Sequence, residues 1–388
     1  MRLSVLLLAL AAVAAAQNNT LTRKEIDEGW ILLFDGETLF GWEPQGEPKW
    51  AVENGAIVAL AGSQKMGWLR SGSQFADYVL KLEFRTREHG NSGVFLRAAT
   101  EGEPHVTGYE LQIWTGNEKY PTGSFVNHVA TKKGKFKGDE WNSYEVTAVG
   151  DKWSVRLNGK SVLETTQTKS RIGHIGLQSN KDRIEFRNIK LKPLGLKPLF
   201  NGKDLSGWRK VETPRAKEPP VWSVKEGAIH VEKGPGQLET EAAFADLTLQ
   251  LSVRTNPRDA GHHPNSGVFI RGDANGFWTG YEAQIRNEFK NGDRTHPVDF
   301  GTGGMYHFQP ARRVVGTDGQ WFVMTVIARG RHFATWVDGY PVADWQDTRE
   351  EGPVARKQAK LSAGPVSLQA HDPTTNLDFR NIRAASLP

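Results

Sequence analysis

Most of this 388-residue chain is written twice. Leu33-Phe34-Asp35-Gly36, followed by Gly41-Trp42, returns as Leu199-Phe200-Asn201-Gly202, followed by Gly207-Trp208. Trp50-Ala51-Val52-Glu53-Asn54-Gly55-Ala56-Ile57 returns as Trp222-Ser223-Val224-Lys225-Glu226-Gly227-Ala228-Ile229. Asn91-Ser92-Gly93-Val94-Phe95 returns at 265–269, Gly108-Tyr109-Glu110 at 280–282, and Phe186-Arg187-Asn188-Ile189 at 379–382. A period this long means two tandem domains rather than a solenoid of short units. Insertions around 255–264, 286–300 and 345–362 lengthen the second copy. The boundary falls in Lys192-Pro193-Leu194-Gly195-Leu196-Lys197-Pro198, which separates a first domain at 27–194 from a second at 195–388.

Each copy reads as all-β. Tyr78, Leu80, Leu82 and Phe84 alternate with Lys81, Glu83 and Arg85, the period of a half-buried strand. Trp153, Val155 and Leu157 lead into Asn158-Gly159, a two-residue hairpin signal, and the second copy has Asp338-Gly339 there. No segment carries a long helical period. Short strands with regular turn signals predict a β-sandwich in each copy, its opening and closing strands paired as in a jelly roll.

The absence of cysteine excludes a disulfide framework, cysteine-ligated zinc, iron–sulfur clusters and thiol catalysis. The net charge of +5 loses one unit with Arg2 and is otherwise shared evenly, +2 in each copy. The basic cluster Lys132, Lys133, Lys135, Lys137 is broken by glycine and reads as a solvated loop, so no nucleic-acid partner is expected. Arg2, the apolar run Leu3 to Val13 and Ala14-Ala15-Ala16 have the layout of a cleaved signal peptide at 1–16. A periplasmic or secreted protein without a membrane span follows as the expectation. No phosphate-cradling glycine loop, Gly-x-Ser-x-Gly elbow or His-Glu-x-x-His occurs.

Candidate chemistry gathers on one strand of each copy. Period two sets Glu110, Gln112 and Trp114 on the face opposite Tyr109, Leu111 and Ile113. It sets Glu282, Gln284 and Arg286 opposite Tyr281, Ala283 and Ile285. A carboxylate, an amide and an aromatic or cation suit a sugar, and a solvated sheet face is the plain alternative. Arg97 and Arg271, each closing an Asn-Ser-Gly-Val-Phe strand that opens at Asn91 or Asn265, are candidates for binding an anion or for ion pairs to Glu110 and Glu282. Asn-Ser-Gly itself reads as a turn. His371-Asp372, after Leu368-Gln369, is a candidate base or a loop cap, and the first copy has Asn180 where His371 stands. Asp299 lies in an insertion and is a further candidate, whereas adjacent His262 and His263 make a poor metal pair.

Together these motifs resemble the 3-keto-disaccharide hydrolase domain, over nearly all of residues 27–388. The resemblance implies a concanavalin-like jelly roll in each copy and carbohydrate as the ligand. It also implies cleavage of glycosides already oxidised at C3. A base takes the C2 proton, the C1 oxygen leaves, and water adds back. Carried onto this chain, His371 or Glu282 is the base, Arg271 stabilises the enolate, and Asn265, Gln284, Arg286, Asp299, Gln369 and Asp372 line the substrate. Asn91, Arg97, Glu110, Gln112 and Trp114 are their counterparts in the first copy, which is impaired if the histidine it lacks is catalytic. The cofactor stays open: a divalent metal is a second way to stabilise the enolate. An upstream sugar oxidoreductase is the implied supplier of the keto substrate. A non-catalytic tandem glycan-binding protein of the cell envelope is the alternative reading.

Overall fold

The computed structural model describes residues 18–61, 65–132 and 134–388. The expected signal peptide and Lys133 lie outside them. Each copy folds as an antiparallel β-sandwich of one eight-stranded and one five-stranded sheet. In the first, the large sheet runs Lys160–Thr166, Lys152–Leu157, Asn142–Val149, Tyr78–Thr86, Ile184–Pro193, Ala56–Ala59, Trp50–Glu53. The second repeats this order, from Tyr340–Gln346 to Val221–Lys225. Among the described residues helix is confined to short pieces such as Arg23–Glu28, capped by Thr22 and Glu25. No helix among the described residues is long and apolar enough to cross a membrane.

The repeated motifs turn out to be joints of this frame. The Trp42 indole donates to the Leu33 carbonyl and the Trp208 indole to the Leu199 carbonyl, so Leu-Phe-x-Gly and Gly-Trp form one closed corner. Opening and closing strands pair as expected, Ile31 opposite Leu191 and Lys197 opposite Ala384. Asn188 and Asn381 of Phe-Arg-Asn-Ile take left-handed φ values of 52°, which asparagine tolerates, at matching points of the closing strands. Beside Asn188 the register shifts as in a β-bulge. Tyr78–Thr86 alternates buried and half-buried throughout, and both expected hairpins turn at Asn158-Gly159 and Asp338-Gly339.

Candidate active site

The five-stranded sheet of the second domain runs Trp208–Val211, Gly236–Phe244, Gly364–Ala370, Ser266–Ile270, Tyr281–Ile285. Leu238, Leu368, Val268, Ala283 and their neighbours enter the core. The register aligns the opposite face in two rows. Gln237, Gln369, Gly267 and Gln284 form one; Arg209, Glu239, Ser367, Phe269 and Glu282 form the other. This polar face is not solvated. Glu282 is 5 % exposed, Gln369 2 % and Gln284 1 %, because loops close over it.

Asn-Ser-Gly is not the turn expected. Ser266 and Gly267 are strand residues, and the Ser266 hydroxyl donates to the Gln369 carbonyl at 2.7 Å. Gly267 is required because Glu282 lies across it: a Cβ there would sit 2.4 Å from Glu282 Oε1.

Burial pushes the Glu282 carboxyl up to about 8, with Asp299 adding to the rise and Arg356 and Gln369 opposing it. Arg356 Nη2 stands 3.8 Å from Glu282 Oε2, and Arg356 Nη1 lies 3.1 Å from His307 Nε2. Asp299 accepts from Asn265 Nδ2 at 3.2 Å and Gln284 Nε2 at 3.1 Å, with Arg286 at 3.9 Å. The Tyr306 amide donates to the Glu282 carbonyl at 2.9 Å. One wall of the groove is therefore built from Asp299, Tyr306, His307 and Arg356.

The segment Gly272–Thr279 folds back to make the other wall. The amides of Asn275 and Trp278 donate to Glu239 Oε1 and Gln237 Oε1, both at 3.0 Å, and Gln237 Nε2 donates to the Gly276 carbonyl. Arg209 pairs with the same Glu239. Trp278 is held at φ 53°, a left-handed conformation uncommon for a bulky residue. Its indole lies between two rings, 4.5 Å from Phe277 and 5.5 Å from His371 at an interplanar angle of 11°. His371 Nδ1 pairs with Asp372 at 2.9 Å. That bond chiefly holds the Asp372 carboxyl far below its ordinary range against the effect of burial, with Thr374 assisting. The pair fixes the ring and leaves Nε2 for other partners. Three buried polar atoms around the groove lack a protein partner: Gln369 Oε1, Asn265 Oδ1 and Trp278 Nε1. Buried polar atoms are almost always paired; Gln178 Oε1, the first copy's counterpart of Gln369 Oε1, is likewise unpaired.

Arg271 does not join this site. Its φ of 55° breaks the strand alternation and turns the side chain inward. The buried guanidinium donates to the carbonyls of Ala245, Gly330 and Lys360 and to Asp246, and lies over Phe333. Arg97 repeats the arrangement with Ala76, Gly150, Ser170 and Asp77. Both arginines tie turns together at one end of a sandwich, and the ion pairs run to Asp246 and Asp77, not to the strand glutamates. His262 and His263 diverge, toward Thr374 and Asp318. Among the described residues no group of three or more metal-ligating carboxylate or imidazole side chains converges. Glu282 and Asp299 stand beside Arg356 and Arg286, surroundings that do not suit a dication.

The first domain keeps the same grid with a tryptophan laid on it. Its rows are Gln45, Trp68, Gln178, Gly93, Gln112 and Glu43, Arg70, Gly176, Phe95, Glu110. Trp68 replaces Gln237, and Gly176 replaces Ser367. The Trp68 ring lies over Gly176, where a Cβ would meet it at 2.2 Å, and packs edge-on against Phe95 at 5.6 Å. Glu43 and Arg70 reverse the charges of Arg209 and Glu239. Glu110 is bonded by Gln178 at 2.9 Å, and burial raises its carboxyl, with no arginine paired to it among the described residues. Asn91 sits outside the sheet with its amide on Asp182. Trp114 follows the strand, its amide on Thr122 and its ring half-buried. Counting back from the shared Thr-Gly, Lys119 stands where the second domain has Asp299.

Sequence reasoning missed Arg356, Tyr306, His307, Trp278 and Gln237. The clue was available: Arg356 lies in the insertion around 345–362, and insertions in one copy of a duplicated fold are where that copy acquires a site.

The family model of the 3-keto-alpha-glucoside-1,2-lyase-like domain matches residues 29–192 and again 195–385. A 3-keto-disaccharide hydrolase of Bacteroides thetaiotaomicron is 24 % identical, over 47 % of this chain and 87 % of that protein. Among solved structures, a candidate glycosyl hydrolase of Parabacteroides distasonis aligns over 46 % of this chain and 100 % of its own, with 24 % identity and a TM-score of 0.42. The carbohydrate-binding module CBM66 of Bacillus subtilis aligns over 39 % of this chain and 94 % of its own, with 16 % identity and a TM-score of 0.32.

Proposed function

The chain belongs to the 3-keto-alpha-glucoside-1,2-lyase-like family, and from that premise we propose that its second domain cleaves 3-keto-glycosides by elimination and rehydration. The observation that carries this is Glu282, buried on the groove floor with a carboxyl pushed up to about 8 and Arg356 at 3.8 Å. A base of that strength suits the C2 proton beside a ketone, whose acidity an ordinary carboxylate matches poorly. Glu282 takes that proton while the electrons pass to the C3 oxygen. Arg356, not Arg271, supplies the positive charge for the resulting enolate. The enolate then expels the C1 oxygen, which His371, oriented by Asp372 and Trp278, protonates. Water adds at C1 and a proton returns to C2, so the sum is hydrolysis.

Ordinary glycoside hydrolysis uses two carboxylates flanking the bond. Here Asp299 is engaged by Asn265 and Gln284, which leaves Glu282 as the carboxylate facing substrate. Gln369 Oε1 and Asn265 Oδ1 would accept from sugar hydroxyls, and Trp278 Nε1 would donate. With Trp68 in its groove and Asn180 in place of the histidine, the first domain is read as inactive. The same reading includes export by the expected leader at 1–16 and an oxidoreductase acting on sugar C3 as the supplier of the substrate.

The test is a paired assay with a 3-keto disaccharide and its unoxidised parent, each with and without a chelator. We expect cleavage of the keto sugar alone, and a loss of about 10²–10⁴-fold in Glu282→Gln, the usual worth of a general base. Cleavage of the parent sugar, or full activity in the variant, would overturn the assignment. Binding of both sugars without turnover would establish the glycan-binding alternative.

A further inference from the structure

One side chain ties the end of the loop that flanks Glu282 to the first domain. Arg312 directly follows the loop that carries Asp299, Tyr306 and His307. Its guanidinium crosses between domains to Asp35 at 2.7 Å and to Thr38 Oγ1 at 3.1 Å, and also meets the Tyr340 hydroxyl at 3.0 Å. It lies 4.6 Å above Phe40 and 5.3 Å from the Tyr340 ring. The Asp35 side chain is 1 % exposed.

Asp35 closes its own turn by accepting from the amides of Glu37 and Thr38 at 2.8 and 2.7 Å. In the second copy Asn201 closes the same turn through Lys203 and Asp204, at 2.7 and 3.0 Å. The turn therefore has no need of a charge. The charge at Asp35 serves Arg312, whose counterpart in the first copy is the exposed Lys132.

The loop ahead of Arg312 needs holding. Asp299 and Phe300 have φ values of 50° and 68°, left-handed conformations for residues with side chains, whereas the 68° of His307 is matched by 62° at Asn127 of the first copy. Such conformations persist where the surroundings over-determine them. The loop is pinned from within by Ala311 N–H to Phe300 O at 2.8 Å and Gly304 N–H to Gly301 O at 2.9 Å. At its end the Arg312 amide is fixed to Val342 O at 2.9 Å. The ion pair to Asp35 is the anchor that comes from the other domain.

We propose that the first domain is a positioning module for the second domain's site: Asp35, acting through Arg312, holds loop 299–311 in the shape that sets Asp299, Tyr306 and His307 around Glu282. This rests on the groove being the active site.

The test is Asp35→Asn in the full chain, a change the Asn201 turn shows to be compatible with the fold. Hydrogen exchange in 299–311 should rise, while the first domain's strands stay protected. kcat/KM for the 3-keto disaccharide should fall about tenfold, a usual size for coupling between sites. Arg312→Gln should do the same, and the double variant should be no worse than either single one, because both remove one contact. Unchanged exchange in 299–311, or additive losses, would overturn the proposal. If the wild-type chain cleaves no keto sugar, the functional reading fails by itself, and the exchange experiment still decides the anchor.

Discussion

Glu110 and Glu282 follow the same Gly-Tyr and precede the same one-residue gap to glutamine, yet only Glu282 has an arginine at hand. The raised carboxyl of Glu282 has two measurable consequences. As a base it must be ionised, so kcat/KM should climb with pH and level off above about 8. For stability the sign is opposite. The folded chain keeps the proton up to about 8 while the unfolded chain releases it near 4.5, so this contribution is present at low pH and is lost as pH rises through about 8. Thermal unfolding from pH 5 to 9 should therefore cost the wild type more than Glu282→Gln, a difference on the order of a few kcal/mol. An identical pH dependence of Tm in the two proteins would contradict the burial argument. Arg271 belongs to stability too. Arg271→Met leaves the carbonyls of Ala245, Gly330 and Lys360 without this donor and Asp246 with only the Gly330 amide, which should cost about 3–5 kcal/mol in a denaturant melt, the usual loss when a buried pair is broken.

At the scale of the element, the two small sheets show how one grid carries different side chains, a tryptophan over the first copy and an all-polar row over the second. Three changes separate them: glutamine to tryptophan at Trp68, serine to glycine at Gly176, and the swapped pair Glu43 and Arg70. Trp68→Ala removes a ring packed on Phe95, so it should cost about 3–5 kcal/mol, the range for emptying a large aromatic site. Glu110→Gln, beneath the filled groove, should leave cleavage of a keto disaccharide unchanged. A large loss of activity there would mean that the first copy is catalytic. Strand positions, both hairpins and the pairing of opening and closing strands were legible from alternation and turn residues, because those are local properties. The burial of Glu282 and Gln369 was not. Alternation tells which side of a sheet a residue takes, and it is silent on whether a distant loop then covers that side. Arg271 misled for a related reason: one left-handed residue reverses the alternation, and arginine gives no sign of adopting that conformation.

Over the whole molecule, the sandwiches are packed into one body. Trp336 donates its indole N–H to the Leu32 carbonyl at 2.8 Å, Leu32 N–H donates to the Gly339 carbonyl at 2.8 Å, and Gln250 Nε2 donates to the Gly29 carbonyl at 2.8 Å. Ile327, Ala334 and Trp336 of the second domain belong to the hydrophobic core of the first. With an apolar seam of this kind, calorimetry should record one cooperative transition for the full chain. Two resolved transitions would show the domains to be energetically independent, and would leave Asp35 too weakly coupled to anchor the loop.

The amino-acid sequence by itself determined the duplication, the all-β architecture, the family motifs and the strand that carries Glu282. Each of these is encoded by residues near one another in the chain, through period, turn chemistry and spacing. Tertiary structure alone decided how far each glutamate's carboxyl is raised, which arginine stands beside Glu282, and which copy carries Trp68 over its sheet. Those outcomes depend on desolvation and charge, and both are set by segments such as 299–311 and Arg356 that arrive from distant parts of the chain.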